Sequence, residues 1–314
     1  MITTSIVEAT QFLNSMVPPA NTIVCFGETL WDVLPTGRQP GGAPFNVAVH
    51  LGQLGQAAQL ISRVGDDDLG AELLDFLTRR WVSTAHVQRD KAHPTGTVQA
   101  NVDDAHEVKY DIVQPVAWDY IEHSNQLAEL VAGTAMLVFG SLAARTATTR
   151  DTLYRLLPHA RFRVFDVNLR APHYTREVVE YLLTHCDLVK MNHHELAEIM
   201  GWFNRVADEG GTALAWLAAR FHLQAVCVTL GADGALLWIN GQLYRSPGVA
   251  VEVKDTIGSG DAFLAMLLAS WQAGEAPETM LSLACAAGAL VATHQGATPV
   301  LNPGEMATLL KRVL

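Results

Sequence analysis

From residue 22 onward, short continuous apolar runs alternate with segments whose apolar residues recur every three or four positions. The runs TIVCFG (22–27), AAQLISRVG (57–65), AMLVFG (135–140), FRVFDV (162–167), CDLVKM (186–191) and AVCVTL (225–230) predict buried strands. The periodic segments APFNVAVHLGQLG (43–55), LGAELLDFLTRRW (69–81), ATTRDTLYRLL (147–157), TREVVEYLLTH (175–185) and GTALAWLAARF (211–221) predict helices. Strands apolar on both faces and separated by helices imply an α/β fold. Its sheet is mostly parallel and covered on both sides, a three-layer sandwich.

Two stretches break the alternation. TLWDVLPTGRQ (29–39) carries Pro35 and Gly37 as turn formers, and TGTVQANVDDAHEVKYDIV (95–113) alternates, turns at DDAH and alternates again. Both interleave polar and apolar positions, so they predict strands standing off the main sheet as a lid or dimer surface, at about 28–40 and 95–114. Residues 1–20 form an N-terminal extension that ends near Pro18-Pro19, and 21–314 form one domain.

Composition narrows the class. Hydrophobic residues make up 49% of the 314 and charged residues 17%, which suits a large core and excludes global disorder. The net charge of −11 and the lack of basic clusters beyond pairs such as Arg79-Arg80 and Lys311-Arg312 argue against nucleic-acid binding. Cys25, Cys186, Cys227 and Cys285 are scattered in apolar settings without metal-ligand spacing, so they read as buried thiols of a reducing compartment. The N-terminus lacks a basic region and a long apolar core, and TMLSLACAAGALVAT (279–293) falls short of the roughly 20 residues that span a bilayer. The expectation is a cytoplasmic protein with no membrane partner.

Four segments carry candidate chemistry. In DTIGSGDAF (255–263), Gly258, Ser259 and Gly260 let a ligand touch the backbone at the start of an apolar helix, whose N–H groups and dipole suit an anion. Asp261 beside them suits a base for a hydroxyl, and the set suits phosphoryl transfer; a plain helix cap also fits these residues. In GGAPFN (41–46), Gly41 and Gly42 permit close approach, and Asn46 offers the donor and acceptor a polyol needs; a tight turn before an ordinary helix fits equally. In KMNHHE (190–195), Asn192 and Glu195 suit either water around Mg²⁺ or a capping box. In FDVNLR (165–170), a strand ends in Asp166, Asn168 and Arg170, as a ligand site or a surface loop would. Neither GxxxxGK[ST] nor a strand-linked GxGxxG is present.

Taken in order, GGAPFNVAVHLGQLG and DTIGSGDAF resemble the two signatures of the ribokinase-like carbohydrate kinases of the phosphofructokinase-B family. FDVNLR, VKMNHHE and VTLGADG resemble its intermediate blocks, and the resemblance runs from about residue 21 to 314. FGSLAAR (139–145), FDVNLRAPHY and PVAWD (115–119) make the fructokinases the most similar subgroup.

The resemblance implies a ribokinase-like, Rossmann-type sandwich with a small β-sheet lid over a sugar. It implies an ATP-dependent kinase that phosphorylates a monosaccharide hydroxymethyl group, with fructose 6-phosphate as the expected product. By resemblance, Asp261 is the base, Gly258, Ser259 and Gly260 form the anion hole, and Arg170 lines the phosphoryl path with Asn168. Asp32, Gly41, Gly42, Asn46, Gln99 and Asn168 match the sugar side, where Trp31 and Tyr110 are further lid candidates. Lys190, Asn192, Glu195, Thr229, Gly231 and Gly234 match the nucleotide side. Glu195 would hold Mg²⁺ through water. Asp255 and the Ile257 carbonyl, with carbonyls near His294 and Gly296, would hold a monovalent cation such as K⁺. A homodimer through the lid is the expected assembly.

The sequence departs from the family pattern in three places. Ser259 replaces alanine, Cys285 replaces an asparagine expected beside the adenine, and His193-His194 replaces a pair that is often acidic. Alternative substrates are 2-keto-3-deoxygluconate, ribose or a nucleoside. A carboxylate substrate would want an extra cation, for which Arg170 and Arg145 are the candidates. A non-catalytic sugar sensor would have a damaged base or anion hole, whereas Asp261 and both glycines are present.

Overall fold

The computed structural model of the chain describes residues 21–34, 37–102, 108–208, 210–300 and 302–310. The extension 1–20, Pro35 and the DDAH turn lie outside them. Strand β1 (Ile23–Phe26) is fully buried, with Ile23 and Cys25 in one core and Val24 and Phe26 in the other. Its alternation feeds the two faces of the sheet, as a strand covered on both sides requires.

The chain then leaves the main sheet for β2 (Leu30–Leu34) and β3 (Gly37–Gly41), and returns through α1 (Ala43–Gln53) and β4 (Ala58–Gly65). Next come α2 (Asp68–Arg79), β5 (Val82–Ser83) and β6 (Val87–Asp90). Strands β7 (Gly96–Val102) and β8 (Val108–Ile112) complete a second sheet in the order β3-β2-β7-β8. This is the separate small sheet expected, termed the lid, and its strands fall within a residue or two of the two stretches that alternation marks.

The rest alternates regularly: α3 (Asn125–Gly133), β9 (Met136–Gly140), α4 (Ala147–Leu156), β10 (Arg163–Asp166), α5 (Arg176–Thr184), β11 (Leu188–Asn192), α6 (His193–Trp202), α7 (Thr212–Phe221) and β12 (Ala225–Thr229). A hairpin of β13 (Ala235–Ile239) and β14 (Gln242–Ser246) follows, then α8 (Ser259–Gln272), α9 (Pro277–Ala292) and α10 (Pro303–Leu310). The main sheet runs β14-β13-β12-β11-β10-β9-β1-β4-β5, with β6 also on β4. It is parallel from β12 to β5, and β13 and β14 are antiparallel. That hairpin is absent from the sequence expectations, although Asn240 and Gly241 at its turn have φ of 54° and 78°, as a type I′ turn needs.

The order places a switch point at β1. The chain passes to β4 on one side and later to β9 on the other, and the carboxyl ends of β1 and β9 are where such a sheet is expected to receive a ligand. Helices α1, α8 and α9 pack together on one face, and α8 and α9 are apolar almost all round. Burial of that pair fixes where the amino end of α8 must lie. No helix among the described residues is long and apolar enough to cross a membrane.

Candidate active site

Both glycine motifs open helices, and the two helix ends meet. At α1, Gly42 sits at the cap with φ 108°. A side chain there would come within 2.5 Å of the Glu28 carbonyl, so only glycine fits. No side chain of the motif caps this helix; the Ala43 amide instead donates to Glu28 Oε1 at 3.2 Å. Glu28 is 1% exposed, and its Oε2 has no hydrogen-bond partner. Burial, with the charge of Asp261 adding to it, pushes its carboxyl up to about 7.

At α8, the cap is Gly258 in the left-handed region at φ 78°, and a side chain there would strike the Ala297 carbonyl. Asp261 is therefore not the cap but lies in the first turn, with its side chain free for another task. Asn46 Nδ2 donates to Asp261 Oδ2 at 2.8 Å, across 215 residues of sequence. Ser259 N and Asp261 N bond back to the Thr256 and Gly258 carbonyls. Among the described residues, the amides of Gly258 and Gly260 have no acceptor. Asn46 Oδ1 and Ser259 Oγ are buried polar atoms without partners as well. Unmet donors and acceptors gathered around one helix end favour a polar, anionic occupant.

Behind this end, Lys190 Nζ bonds both oxygens of Asp166, at 3.1 and 3.2 Å. It also stands 3.1 Å from where a Gly260 side chain would begin. Burial disfavours the ammonium, but the charges of Asp166, Asp261 and Glu195 outweigh it and hold the lysine above its ordinary value. Asp261 is pushed up to about 6, first by burial and then by the charge of Asp166; Lys190, the Asn46 bond and Arg170 oppose this. A carboxyl poised near neutrality beside an amide-lined helix start has the character of a general base.

The Asn192–Glu195 pair forms the capping box of α6: Asn192 Oδ1 accepts from the His194 and Glu195 amides, and Glu195 Oε2 accepts from Asn192 N at 2.8 Å. Glu195 Oε1 reaches further and accepts from Leu169 N at 2.9 Å, which ties the loop after β10 to α6. That loop holds Asn168 at φ 39° and the exposed Arg170, whose charge acts on Glu28, Asp32 and Asp261. On the other side, Asp255 Oδ1 accepts from Ile257 N and Oδ2 from Gly296 N, both at 3.0 Å. One carboxylate thus joins the loop before α8 to the loop after α9.

A cavity of about 520 Å³ lies against these elements. Thr229, Gly231 and Gly234 line it with Ser259, Gly260 and Cys285. The predicted nucleotide-side residues of the β12–β13 turn and the amino end of α8 therefore share one space, while Asp261 turns away from it toward Asn46.

In the lid, register sorts the sugar-side candidates. Asp32 pairs with Gln39 on β3 and Val98 on β7, so these three share a face. Asp32 Oδ2 lies against Gly41, and burial pushes its carboxyl up to about 6 against the pull of Arg170. Trp31 and Gln99 belong to the opposite face, through the pairings Trp31–Thr97 and Val33–Gln99. The Trp31 indole is buried and donates to the Leu69 carbonyl at 3.0 Å, and Gln99 Nε2 lies 3.5 Å from Thr97 Oγ1. Neither joins the Asp32 group, because one residue of offset in a strand reverses the side chain. The Tyr110 side chain is outside the described residues.

Arg145 also departs from expectation. It is 2% exposed and pairs with both oxygens of Asp119, at 2.7 and 2.8 Å. It stacks on Trp118 at 3.8 Å and donates to the Val113 carbonyl at the end of the lid. Fully committed there, it is not a cation for a substrate carboxylate, which leaves Arg170. The residues that sequence reasoning missed are Glu28 and Gln39. Glu28 carried a signal, a lone acid directly after a buried strand. Gln39 Oε1 would be 2.5 Å from a side chain on Gly296, a contact that no local pattern announces.

The pattern described as pfkB family carbohydrate kinase matches residues 15–303. A curated fructokinase of Klebsiella pneumoniae is 32% identical over 295 residues, covering 88% of this chain and 94% of its own. The fructokinase of Xylella fastidiosa, solved with bound ATP, superposes with a TM-score of 0.81 at 23% identity over 93% of this chain and 99% of its own. The fructokinase of Vibrio cholerae O395, solved with fructose, ADP and calcium, gives 0.79 at 26% identity over the same shares. With a fold of this kind and a family match across most of its length, the chain belongs to the pfkB family of carbohydrate kinases.

Proposed function

We propose that this kinase transfers the γ-phosphate of ATP to the hydroxymethyl group of D-fructose, giving fructose 6-phosphate. The observation that carries the reading is the meeting of two helix ends, where Asn46 holds Asp261 between the lid side and the cavity. The sugar lies against Asp32, Gly41, Gly42 and Asn46, with Asn168 at its edge. Asp261 takes the proton of the attacking hydroxyl. The amides of Gly258 and Gly260 face the charge that develops on the transferred group, and Arg170 and Lys190 add positive potential around it. Thr229, Gly231 and Gly234 hold the nucleotide.

Mg²⁺ and K⁺ are the expected ions. Both Glu195 oxygens already accept backbone bonds, so this carboxylate suits a hydrated Mg²⁺ held through water better than direct ligation. The Asp255 carboxylate and neighbouring carbonyls are hard oxygen donors of the type a monovalent cation takes. Mg²⁺ when bound neutralises charge on the phosphates; the residues named here position the reactants. The fructokinases of Klebsiella and Vibrio support fructose over other sugars, and the commitment of Arg145 to Asp119 weighs against a sugar acid.

A panel of fructose, ribose, 2-keto-3-deoxygluconate and nucleosides, assayed with ATP and Mg²⁺ with and without K⁺, tests this. Fructose should have the highest kcat/KM, and turnover of none would overturn the reading. A pH profile provides a second test. Asp261 acts as a base only when ionised, so kcat/KM should fall as pH drops through about 6 and level off above it. A profile flat down to pH about 5 would remove Asp261 as the base.

A further inference from the structure

Helix α1 presents one stripe of polar side chains to the elements around α8. Asn46, His50 and Gln53 are spaced i, i+4 and i+7, so they share a face. Asn46 donates to Asp261; the other two reach the loop after α9. His50 Nε2 bonds the Ala297 carbonyl at 2.9 Å, and Gln53 Nε2 donates to the Pro299 carbonyl at 3.1 Å. Because a carbonyl only accepts, Nε2 carries the proton in this bond. The same Ala297 carbonyl lies against Gly258, where any side chain would strike it. The residue before it, Gly296, donates to Asp255 at the other end of the α8 approach. The loop is thus wedged between α1 and Gly258, and His50 is the side chain that fixes the wedge from the α1 side.

The choice of histidine needs a reason. His50 is fully buried, and its Nδ1 has no hydrogen-bond partner. Burial, with the nearby charge of Arg80, pushes the imidazole down to about 4, so it stays neutral. A buried polar atom left unmet is a local cost that a leucine at this position would not carry. What histidine supplies and leucine lacks is the Nε2–H bond to Ala297.

We propose that His50 is a positioning residue, which, through the Ala297 carbonyl, sets Gly258 and the amides after it relative to Asn46 and Asp261. The inference rests on the reading of Gly258–Gly260 as the phosphate side. It adds a mechanical link by which the sugar-binding helix and the phosphate-binding helix end keep register. Displacement of such a site by about 1 Å is enough to cost up to 100-fold in rate.

Two variants and two readouts test it. His50→Leu removes the donor and the orphaned atom together; His50→Gln keeps an N–H donor near the Nε2 position. Hydrogen exchange in the unliganded protein is read first, since it needs no substrate. In His50→Leu, the bonded amides of Ser259, Asp261 and Gly296 should exchange about 10-fold faster than in the parent, with β9 and β10 unchanged, and His50→Gln should return them toward parental rates. In turnover, His50→Leu should lower kcat about 10-fold or more with the sugar KM within about threefold, and His50→Gln should recover most of the loss. Unchanged exchange at those amides overturns the proposal. So does a general rise across the core that Gln fails to reverse, because that is the mark of a packing role alone. The parent is assayed on the sugar panel in parallel. If it phosphorylates no sugar, the functional reading falls, and the exchange result still decides whether His50 sets the helix end.

Discussion

Asp261→Asn lowers kcat for sugar phosphorylation by about 10²–10⁴-fold and leaves sugar affinity within a few-fold. The carboxylate is the only group in the described site that is both poised near pH 6 and bonded to Asn46. The asparagine keeps the shape, and its amide oxygen can accept the Asn46 bond, so the lost property is the capacity to take a proton. Steady-state kinetics with calorimetric sugar binding checks this; turnover within tenfold of the parent would dismiss the base assignment. The same variant has a thermal signature. The folded carboxyl holds its proton up to about 6, against an ordinary value of 3.8. The folded state therefore binds more protons than the unfolded one between those values, and its stability declines as pH rises through that window. Asn carries no such penalty. Asp261→Asn should have a Tm advantage over the parent at pH 8 that shrinks toward pH 4, and an equal Tm difference at both pH values would refute this origin.

Asp119→Ala destabilises the protein by about 3–5 kcal/mol, the largest stability effect expected of a single change outside the active site. It leaves Arg145, 2% exposed, without the carboxylate that neutralises it. It also removes the acceptor of the Val116 amide at 3.0 Å. Because Arg145 donates to the Val113 carbonyl at the end of β8, the loss is felt at the root of the lid. Thermal unfolding should show a Tm lower by roughly 10 °C. Pairing Asp119→Leu with Arg145→Met should recover part of this, since removing both charges avoids the orphan. A double variant no more stable than Asp119→Ala would place the defect in packing around Trp118 instead.

Much of the fold could be read from local pattern. Helices α1, α5 and α7 fall within a residue or two of their periodic segments: α5 and α7 each bury one stripe, and α1, buried nearly all round, is bounded by its glycines. The lid strands were visible because alternation survives wherever one face is wetter. The β13–β14 hairpin went unread despite Asn240-Gly241, because ALLWI resembles the continuation of an apolar strand as much as the first arm of a hairpin. At the site, the positions of both glycine motifs are legible, since each glycine stands at a helix start that needs its backbone geometry. The faces of the lid could not be assigned, so Trp31 and Gln99 were placed with Asp32 although they lie opposite it. The pairings Asp119–Arg145 and His50–Ala297 join residues 26 and 247 apart, and neither leaves a mark on the sequence between them.

The boundary at the start of α8 is narrow. Gly260 lines the cavity and the very next residue, Asp261, faces Asn46. On the proposed reading the phosphate is handled from the main sheet, by the α8 end, Lys190, Arg170 and the β12–β13 turn, whereas the small sheet contributes the face that carries Asp32 and Gln39. Substitutions on the opposite face of β2 and β7, where Trp31 and Gln99 lie, spare the helix end, whereas a change at Gln39 reaches the Gly296 loop that leads to it. On that reading, the sugar accepted can be altered from one small sheet as long as the Gln39–Gly296 contact is kept.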